Sequence, residues 1–382
     1  MLFDVFTPER ILFGPGSTYR LGEEVRVLGR KALVITGRES LKKSGNVERI
    51  TQPLTLAEVE AVFFDEITPE PSVLAVDAGR RRVRETGCTV VVGVGGGSVL
   101  DVAKAVAGLA GMEGDTGEYL RGREITGAGL PFVAVPTTAG SGSEVTVNAV
   151  LVDPEAGKKT SLRHDRLLAR VAVVDPILTM SMPSELTAQT GLDALTHAVE
   201  AYTSRWSTAY SRALSREAVR LIAQNFYTAY SAPGRREARE NMLLASLMAG
   251  MALNTARAGV VHALAHPLGA RYGLSHGLVC GVLLPYAMEF NLPVVEDRYA
   301  ELAGAAGLTP PGVPENEAAI RFTAYVKRLV DRLGLPERLG PQGLTEGHVP
   351  DLVETAMGSS SLAANPRKAT GHDLTDLVNR LL

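Results

Sequence analysis

Aspartate and histidine side chains at helical spacing are the first feature of this sequence that could do chemistry. Asp193 and His197 stand four residues apart, as do His262 and His266, and this spacing puts both members of a pair on one face of a helix. His276 follows a short distance along the chain. The nitrogen and oxygen atoms of these five side chains could close a site for a first-row metal ion. The spacing therefore predicts a catalytic metal centre.

The residues that follow His266 predict the end of its helix. We expect Pro267 and Gly269 to break the helix, and a returning loop to bring His276 back to the same point. Five candidates exceed the four ligands of a common site, so one of them is expected to have another role near the metal or the cofactor. The spacing does not say which one. The histidines that stand alone, and that we interpret as ordinary core or surface residues, are His164, His348 and His372.

A second candidate site is a glycine-rich turn. Residues 89–104, TVVVGVGGGSVLDVAK, indicate a strand, a turn and the start of a helix. Gly95–Gly97 would let the backbone approach a ligand closely, and Ser98 can cap the helix. The amides at a helix N-terminus can bind phosphate, although the spacing here differs from the G-x-G-x-x-G fingerprint. A hydroxyl-rich loop at 136–145 follows another predicted strand, and two such loops favour a bound nucleotide.

Alternating strands and helices must position these loops in the first half of the chain. Helical stretches such as 71–86 and 98–110 separate short apolar runs, which predicts a parallel sheet covered on both faces. The predicted strands are residues 10–13, 32–36, 61–64, 89–94, 132–135, 145–152 and 171–175.

Long helices are predicted in the second half of the chain. Their residues are 186–203, 209–230, 235–266 and 315–333, with a proline-rich loop at 308–314. The change in pattern predicts two domains: an α/β domain over residues 1–180 and an all-helical, metal-binding domain over residues 181–382.

The composition bounds the class of protein. A net charge of −3 gives no reason to expect nucleic acid or an anionic membrane as a partner. Two cysteines, Cys88 and Cys280, are too few for a disulfide framework and predict a reducing compartment. The N-terminus lacks the layout of a signal peptide, and no uninterrupted apolar run approaches the ~20 residues of a membrane span. We therefore expect a soluble, cytoplasmic protein.

Motifs spread over nearly the whole chain point to one family. They are FGPG at 13–16, GGGSVLDVAKA at 95–105, PTTAGSGSEVT at 136–146, GLDALTHAVEAY at 191–202, the HALAH…HG stretch at 262–277 and NPR at 365–367. Together they closely resemble the iron-dependent (group III) alcohol dehydrogenases. The resemblance implies a Rossmann-like N-terminal domain and an all-α C-terminal domain, an architecture shared with dehydroquinate synthases, with cofactor and metal facing each other across a cleft.

The resemblance also implies roles for individual residues. The metal ligands would be Asp193, His197, His262 and His276, and His266 would be the non-ligand histidine near the nicotinamide. The cofactor-binding residues would be Gly37, Ser40, Gly95, Gly96, Gly97, Ser98, Val99, Asp101, Thr137, Thr138, Ser141, Thr146, Lys159 and Leu178. The implied reaction is reversible hydride transfer between a small primary alcohol or diol and NAD(P), giving an aldehyde or ketone. The implied metal is Fe²⁺, with Zn²⁺ as the alternative, in a homodimer.

The sequence departs from the family pattern at two positions. Many NAD-using members carry an aspartate for the adenosine ribose where this chain has Gly37, and an acidic residue there would repel a 2′-phosphate. Its absence, beside a polar and basic segment, predicts NADP in preference to NAD. That segment contains Arg38, Ser40, Lys42 and Lys43. Glu70 stands where the family often has asparagine, and we assign it no cofactor contact.

Three alternatives follow from the same residues. A dehydroquinate-synthase-like enzyme would use the same metal and NAD for a multistep elimination and cyclisation. A glycerol-dehydrogenase-like enzyme would use zinc, which the affinity order of divalent metals also favours. A nucleotide-binding protein without catalysis would require a broken ligand set, and all four implied ligands are present. His266 could relay a proton or only shape the pocket wall.

Overall fold

A computed structural model describes residues 2–68, 70–310 and 312–382 of the chain. The strands are β1 (Arg10–Phe13), β2 (Lys31–Gly37), β3 (Glu60–Ile67), β4 (Val90–Gly95), β5 (Phe132–Pro136), β6 (Asn148–Asp153), β7 (Lys158–Arg163) and β8 (Val171–Val174). Six of them form one parallel sheet in the order β1-β8-β5-β4-β2-β3, and β6 and β7 form an antiparallel pair.

Both faces of the six-stranded sheet are buried. Leu33 and Ile35 of β2 pack in one apolar cluster, whereas Ala32 and Val34 of the same strand pack in another. Successive side chains of a strand point to opposite faces, so this division means that apolar layers cover the sheet on both sides. The predicted parallel sheet with two covered faces is confirmed.

The predicted strands are present, with one shift and one omission. The strand predicted from residue 145 begins at Asn148, because Ser143–Val145 forms a 3₁₀ turn. The strand β7, with the sequence KKTSLR, was not predicted. Its side chains are mostly exposed and polar, so it lacks the apolar alternation on which the prediction of strands depends.

The α-helices lie between the strands and after them in the chain. They are α1 (Leu21–Leu28), α2 (Ser40–Lys43), α3 (Val47–Leu56), α4 (Val73–Thr86), α5 (Gly97–Leu109), α6 (Thr116–Leu120), α7 (Ser184–Thr203), α8 (Ala209–Ser231), α9 (Arg236–Ala256), α10 (Val260–Tyr272), α11 (His276–Asn291), α12 (Glu296–Ala305), α13 (Glu315–Arg332), α14 (Val349–Met357) and α15 (Gly371–Asn379). The described residues of the proline-rich segment 308–314 lie between α12 and α13 outside any helix, as predicted, and Pro311 lies outside the described residues.

The prediction of one helix over residues 235–266 was wrong. The chain forms α9 and α10, which meet at a bend of 105°. Arg257 has a positive φ of 64° and a ψ of 168°, a conformation that interrupts an α-helix. The sequence around the bend contains no proline, so the residues that fix it come from elsewhere in the chain, as the site shows.

The predicted break at Pro267 and Gly269 was also wrong. Both residues lie inside α10, which ends at Tyr272 before a left-handed glycine, Gly273. A proline within a helix costs about 3 kcal/mol, and apolar burial on both sides of Pro267 offsets that cost. His276 is accordingly the first residue of α11 and does not lie in a returning loop.

The chain divides into two compact units. The α/β unit comprises residues 6–138 and 142–182, and the helical unit comprises residues 2–5, 139–141 and 183–382. One stretch of the helical unit, His276–Val294, is long and apolar enough to cross a membrane by length and composition alone, in contrast to the expectation that no apolar run approaches that length. Within the protein 61% of that stretch is buried, as in a core helix of a folded domain.

Candidate functional site

Three helices of the helical unit carry the candidate metal ligands. Asp193 and His197 lie one turn apart on α7, His262 lies in the first turn of α10, and His276 begins α11. His266 lies one turn after His262 on α10. The structure therefore brings together the five side chains that the spacing singled out, although the chain between them folds differently from the prediction.

The three implied histidine ligands converge on one carboxylate oxygen of the fourth, Asp193. Nε2 of His197, His262 and His276 lies 3.6, 3.8 and 3.7 Å, respectively, from Oδ1 of Asp193. Ligand atoms about 2.1 Å from a tetrahedral metal ion lie about 3.4 Å from one another. The observed separations are close to that value, so the cluster has the size of a divalent metal site.

A cation would satisfy two buried atoms of the cluster that face each other. Oδ1 of Asp193 and Nε2 of His262 are buried, and neither has a hydrogen-bond partner among the described residues. Burying such atoms without a partner is costly, whereas a bound metal ion would satisfy both of them. The donor set of one carboxylate and three imidazoles suits zinc, iron and their neighbours in the first row. The residues present therefore fit a divalent metal ion.

Glu200 orients His262 from the side away from the cluster. Its Oε2 lies 2.6 Å from Nδ1 of His262, which fixes the hydrogen on Nδ1 and leaves the lone pair of Nε2 directed at Asp193. The same carboxylate accepts the backbone N–H groups of Gly259 and Val261 at 2.8 and 2.7 Å. Glu200 thus holds both the ligand and the start of the helix that carries it.

Asn365 completes the support of α10. Its Oδ1 accepts the N–H of Val260 at 3.1 Å, and its amide is hydrogen-bonded to Asn291. A side chain at Gly259 would lie 2.9 Å from Oδ1 of Asn365 and from Oε1 of Glu200, so only glycine fits there. The bend between α9 and α10 is therefore fixed by polar groups distant in sequence.

The pKa values of two buried imidazoles shift in opposite directions. Burial lowers the pKa of His197, and the nearby Asp193 opposes this effect only in part. Burial also acts to lower the pKa of His262, but the charge and hydrogen bond of Glu200, together with Asp193, outweigh it and raise that pKa. The two carboxylates therefore favour a positive charge, whether a proton or a metal ion, at His262.

His266 stands beside the cluster and differs from its neighbours. Its ring centroid is 5.4 Å from that of His276 and 6.3 Å from that of His262, and the side chain is half-buried. His276 is also the more accessible of the ligand candidates, with 29% of its side chain exposed. The cluster therefore has an open side, on which His266 lies.

Three residues that contact or support the candidate ligands were not predicted from the sequence. Cys280 has its Sγ within 4.8 Å of the ligand atoms of Asp193, His262 and His276. Cys280 lies four residues after His276, and Glu200 three after His197, so helical spacing could have revealed both. The third is Asn365: its motif was noted, but nothing local indicated that it contacts α10.

The glycine-rich turn lies at the carboxyl edge of the sheet. The strand order reverses between β2 and β4, the kind of point at which open α/β sheets bind ligands. Gly37 ends β2, Gly95 ends β4, and α5 begins at Gly97 with Ser98 as its second residue. A side chain at Gly95 would clash with Val99, so the tight turn requires glycine there.

The hydroxyl-rich loop lies directly beside this turn. β4 and β5 are parallel neighbours, and the N–H of Thr137 donates to the carbonyl of Gly95 at 3.0 Å. A Cβ on Gly96 would approach the Thr138 side chain to 3.2 Å. The two loops that the sequence singled out are therefore adjacent, whereas Ser141 groups with the helical unit.

Several implied cofactor residues are engaged in the α/β unit itself. Asp101 accepts hydrogen bonds from the Ser143 hydroxyl at 2.6 Å and the Val150 N–H at 2.9 Å. Thr146 accepts from the buried ammonium of Lys104 at 3.0 Å. Leu178 is 1% exposed, within the apolar cluster of one sheet face. These three side chains support the loops from within.

Ion pairs occupy the basic side chains of the predicted coenzyme region. Lys159 on β7 donates to Glu70 at 2.9 Å, so the departure from the family pattern at position 70 provides a carboxylate partner for Lys159. Lys42 pairs with Asp65 at 2.8 Å, and Lys43 pairs with Glu39. Arg38, Ser40 and these two lysines lie on the exposed surface beside the end of β2.

Profiles of two protein families match the chain. One, described as iron-containing alcohol dehydrogenase, matches residues 8–176, and the other, described as Fe-containing alcohol dehydrogenase family, C-terminal, matches residues 187–382.

Individual relatives match over nearly the full length. The chain is 38% identical to 1,3-propanediol dehydrogenase of Klebsiella pneumoniae, over 99% of this chain and 98% of the relative. It is 31% identical to NAD-dependent methanol dehydrogenase of Bacillus methanolicus, over 99% of each. The crystal structure of a 1,3-propanediol oxidoreductase matches all of both chains with a TM-score of 0.96 at 37% identity.

Proposed function

This chain belongs to the iron-containing alcohol dehydrogenase family, as its motifs indicated, and on that premise we propose that it interconverts small alcohols or diols with their aldehydes or ketones, using NAD(P). The observation that carries the proposal is the buried cluster of Asp193, His197, His262 and His276, in which Oδ1 of Asp193 and Nε2 of His262 face each other without hydrogen-bond partners among the residues described. A small diol is the first substrate to test, because the relative named above acts on 1,3-propanediol by its name.

The chemistry divides between the bound groups and the chain. A divalent metal ion would supply Lewis acidity to an alcohol oxygen, and a nicotinamide would supply the hydride acceptor. Asp193, His197, His262 and His276 would hold the metal ion, and Glu200 keeps His262 in the tautomer that can bind it. Iron(II) is the proposed metal, with zinc as the alternative that the affinity order favours.

His266 is the proposed proton carrier. It lies on the open side of the cluster, next to His276, and an imidazole titrates in the range needed to pass a proton between an alcohol and solvent. Replacing it with alanine should lower kcat and alter the pH profile while leaving the metal content unchanged. Loss of metal from that variant would instead assign His266 a structural role.

NADP is the proposed coenzyme, in preference to NAD. The proposal depends on Gly37, which offers no carboxylate at the end of β2, beside Arg38 and Ser40. The ion pairs of Lys42 and Lys43 are exposed, and exposed pairs contribute only about 0–1 kcal/mol, so a 2′-phosphate could displace their carboxylates.

A variant tests the coenzyme proposal. Gly37→Asp should shift the ratio of kcat/KM for NADP to that for NAD towards NAD by at least tenfold, because the new carboxylate would repel the 2′-phosphate. A Cβ there would lie 2.6 Å from Oγ of Ser40, so Gly37→Asp should also be made with Ser40→Ala to provide room. A wild-type enzyme that already prefers NAD would contradict the role of Gly37.

The experiment that tests the function measures reduction of NAD and NADP separately. Metal-stripped protein is reloaded with Fe²⁺ under anaerobic conditions, or with Zn²⁺, and supplied with short primary alcohols and diols. We expect turnover that depends on both the metal and the alcohol. The same panel with His262→Ala should give none. Absence of reduced coenzyme with every alcohol and both metals would contradict the proposal.

The oligomeric state and the location in the cell are also proposed. A homodimer follows from the family resemblance alone, and light scattering of the eluted protein would test it. A cytoplasmic location is supported by Cys88 and Cys280, neither of which forms a disulfide. Fractionation of the native cells would test the location.

A further inference from the structure

We propose that Cys280 supplies a sulfur ligand to the metal ion held by Asp193, His262 and His276, which makes the centre a mixed nitrogen, oxygen and sulfur site. The inference rests on the proposed metal-binding function of this cluster. It adds a donor to the set that the family resemblance implies, and it concerns which metal this chain prefers.

Cys280 lies next to the proposed metal ligands. Cys280 lies one turn after His276 on α11, so both side chains leave the same face of the helix. Its Sγ lies 3.5 Å from Nε2 of His276, and the residue is fully buried. The ligand atoms of Asp193, His262, His276 and Cys280 all lie within 4.8 Å of one another. Cys280, and not His197, is the fourth member of that mutually close set.

The separations fit a shared metal ion. Bonds of about 2.1 Å to nitrogen and about 2.3 Å to sulfur, at a tetrahedral angle, put the two ligand atoms about 3.6 Å apart. The 3.5 Å between Nε2 of His276 and Sγ of Cys280 agrees with that value. Oδ1 of Asp193 and Nε2 of His262 belong to the same group and are buried without hydrogen-bond partners in the described part of the chain, so a metal ion that satisfies them would lie within reach of Sγ of Cys280.

A sulfur donor changes the preference of the site. Thiolate ligands favour zinc and similar borderline ions, whereas a set of imidazoles and a carboxylate also suits iron(II) and manganese(II). The thiolate is the form that binds, so metal binding would release the thiol proton to solvent. We therefore expect wild-type protein to prefer Zn²⁺ to Fe²⁺ more strongly than a variant without the thiol.

Cobalt(II) tests the proposal directly, because a cobalt–thiolate bond gives a sulfur-to-metal charge-transfer band in the near ultraviolet, separate from the visible ligand-field bands. The full-length protein is stripped of metal and titrated with Co²⁺. We expect both sets of bands in wild-type protein. Cys280→Ala should lose the charge-transfer band and keep the ligand-field bands, and it should retain less zinc against iron(II) in competition, by at least severalfold.

Cys88→Ala is the matched control, since Cys88 is the other buried cysteine and lies in the α/β unit. It should keep the spectrum of the wild type. Ligand-field bands without a charge-transfer band in wild-type protein would overturn the sulfur ligand and leave the proposed function intact. The same holds if Cys280→Ala keeps the charge-transfer band. No cobalt bands at all would overturn both this inference and the proposed metal centre.

Discussion

A single carboxylate decides how one of the buried ligand candidates, His262, can act. Glu200 holds the hydrogen of His262 on Nδ1, and it also accepts the N–H groups that open α10. An imidazole whose far nitrogen is hydrogen-bonded to a carboxylate is a stronger and better-oriented metal ligand. Glu200 therefore links the tautomer of His262 to the backbone conformation at Gly259, so a change in one affects the other.

Replacing Glu200 with glutamine tests this link. Glutamine keeps an acceptor oxygen but loses the negative charge, and changes to such supporting groups typically cost 10- to 100-fold in metal affinity. We expect Glu200→Gln to weaken metal binding by about that factor, measured by competition with a chromophoric chelator. Glu185→Gln, at an exposed position on the same helix, is the control and should bind metal as wild type does. Unchanged affinity in Glu200→Gln would show that Glu200 supports only the fold.

At the scale of elements, some boundaries could be predicted and others could not. The strands β2, β4 and β5 were predictable because each is an apolar run bounded by turn residues. The loops after β4 and β5 were predicted to bind a nucleotide because they follow the carboxyl ends of parallel strands. The bend between α9 and α10 was not, because it depends on Glu200 and Asn365, which are distant in sequence. The exposed, polar strand β7 gave no local signal either.

The segment between β5 and β6 contains a buried acid with a testable pH dependence. Burial raises the pKa of Glu144 from its usual 4.5 to about 7, and nearby Lys104 opposes the shift only in part. The folded protein therefore holds this proton more tightly than the unfolded chain does. The cost of burying the charged carboxylate is absent below about pH 4.5, grows as the pH rises and is complete above about pH 7. That cost is at most about 3 kcal/mol.

Glutamine at this position removes the charge. We expect the melting temperature of Glu144→Gln, relative to that of wild type, to be higher at about pH 8 than at about pH 5, measured by circular dichroism. Glu155→Gln is the control, because the Glu155 side chain is 86% exposed. A difference between Glu144→Gln and wild type that does not change with pH would contradict the raised pKa.

At the scale of the whole molecule, the chain divides its two candidate sites between its two units. The proposed metal ligands belong to the helical unit, and the glycine turn and its neighbouring loop belong to the α/β unit except for 139–141. The change from alternating strands to long helices predicted an α/β domain over residues 1–180 and a helical domain over residues 181–382. It could not predict that the short segment containing Ser141 groups with the helices, since that grouping depends on contacts such as the close approach of Gly140 to Thr190.

The single tryptophan allows the unfolding of the helical unit to be followed by fluorescence. Trp206 is the only tryptophan in the sequence and lies in the helical unit. A ligand that binds only the folded state stabilises it by about 3–4 kcal/mol when its free concentration is 100 to 1,000 times its Kd. We therefore expect a chelator to lower the unfolding midpoint seen by Trp206 fluorescence. The same chelator should leave the midpoint of His262→Ala unchanged, and an equal shift in both proteins would rule out this cluster as the cause.

Turnover measured as a function of bound metal tests whether the cluster of Asp193, His197, His262 and His276 is a catalytic metal centre. Metal-free protein receives Fe²⁺ in substoichiometric steps without oxygen, and the rate of coenzyme reduction is measured beside the metal content. We expect the rate to rise linearly and to stop rising at one metal ion per chain, with neither binding nor turnover in His262→Ala. Full activity in protein shown to contain no metal would contradict it.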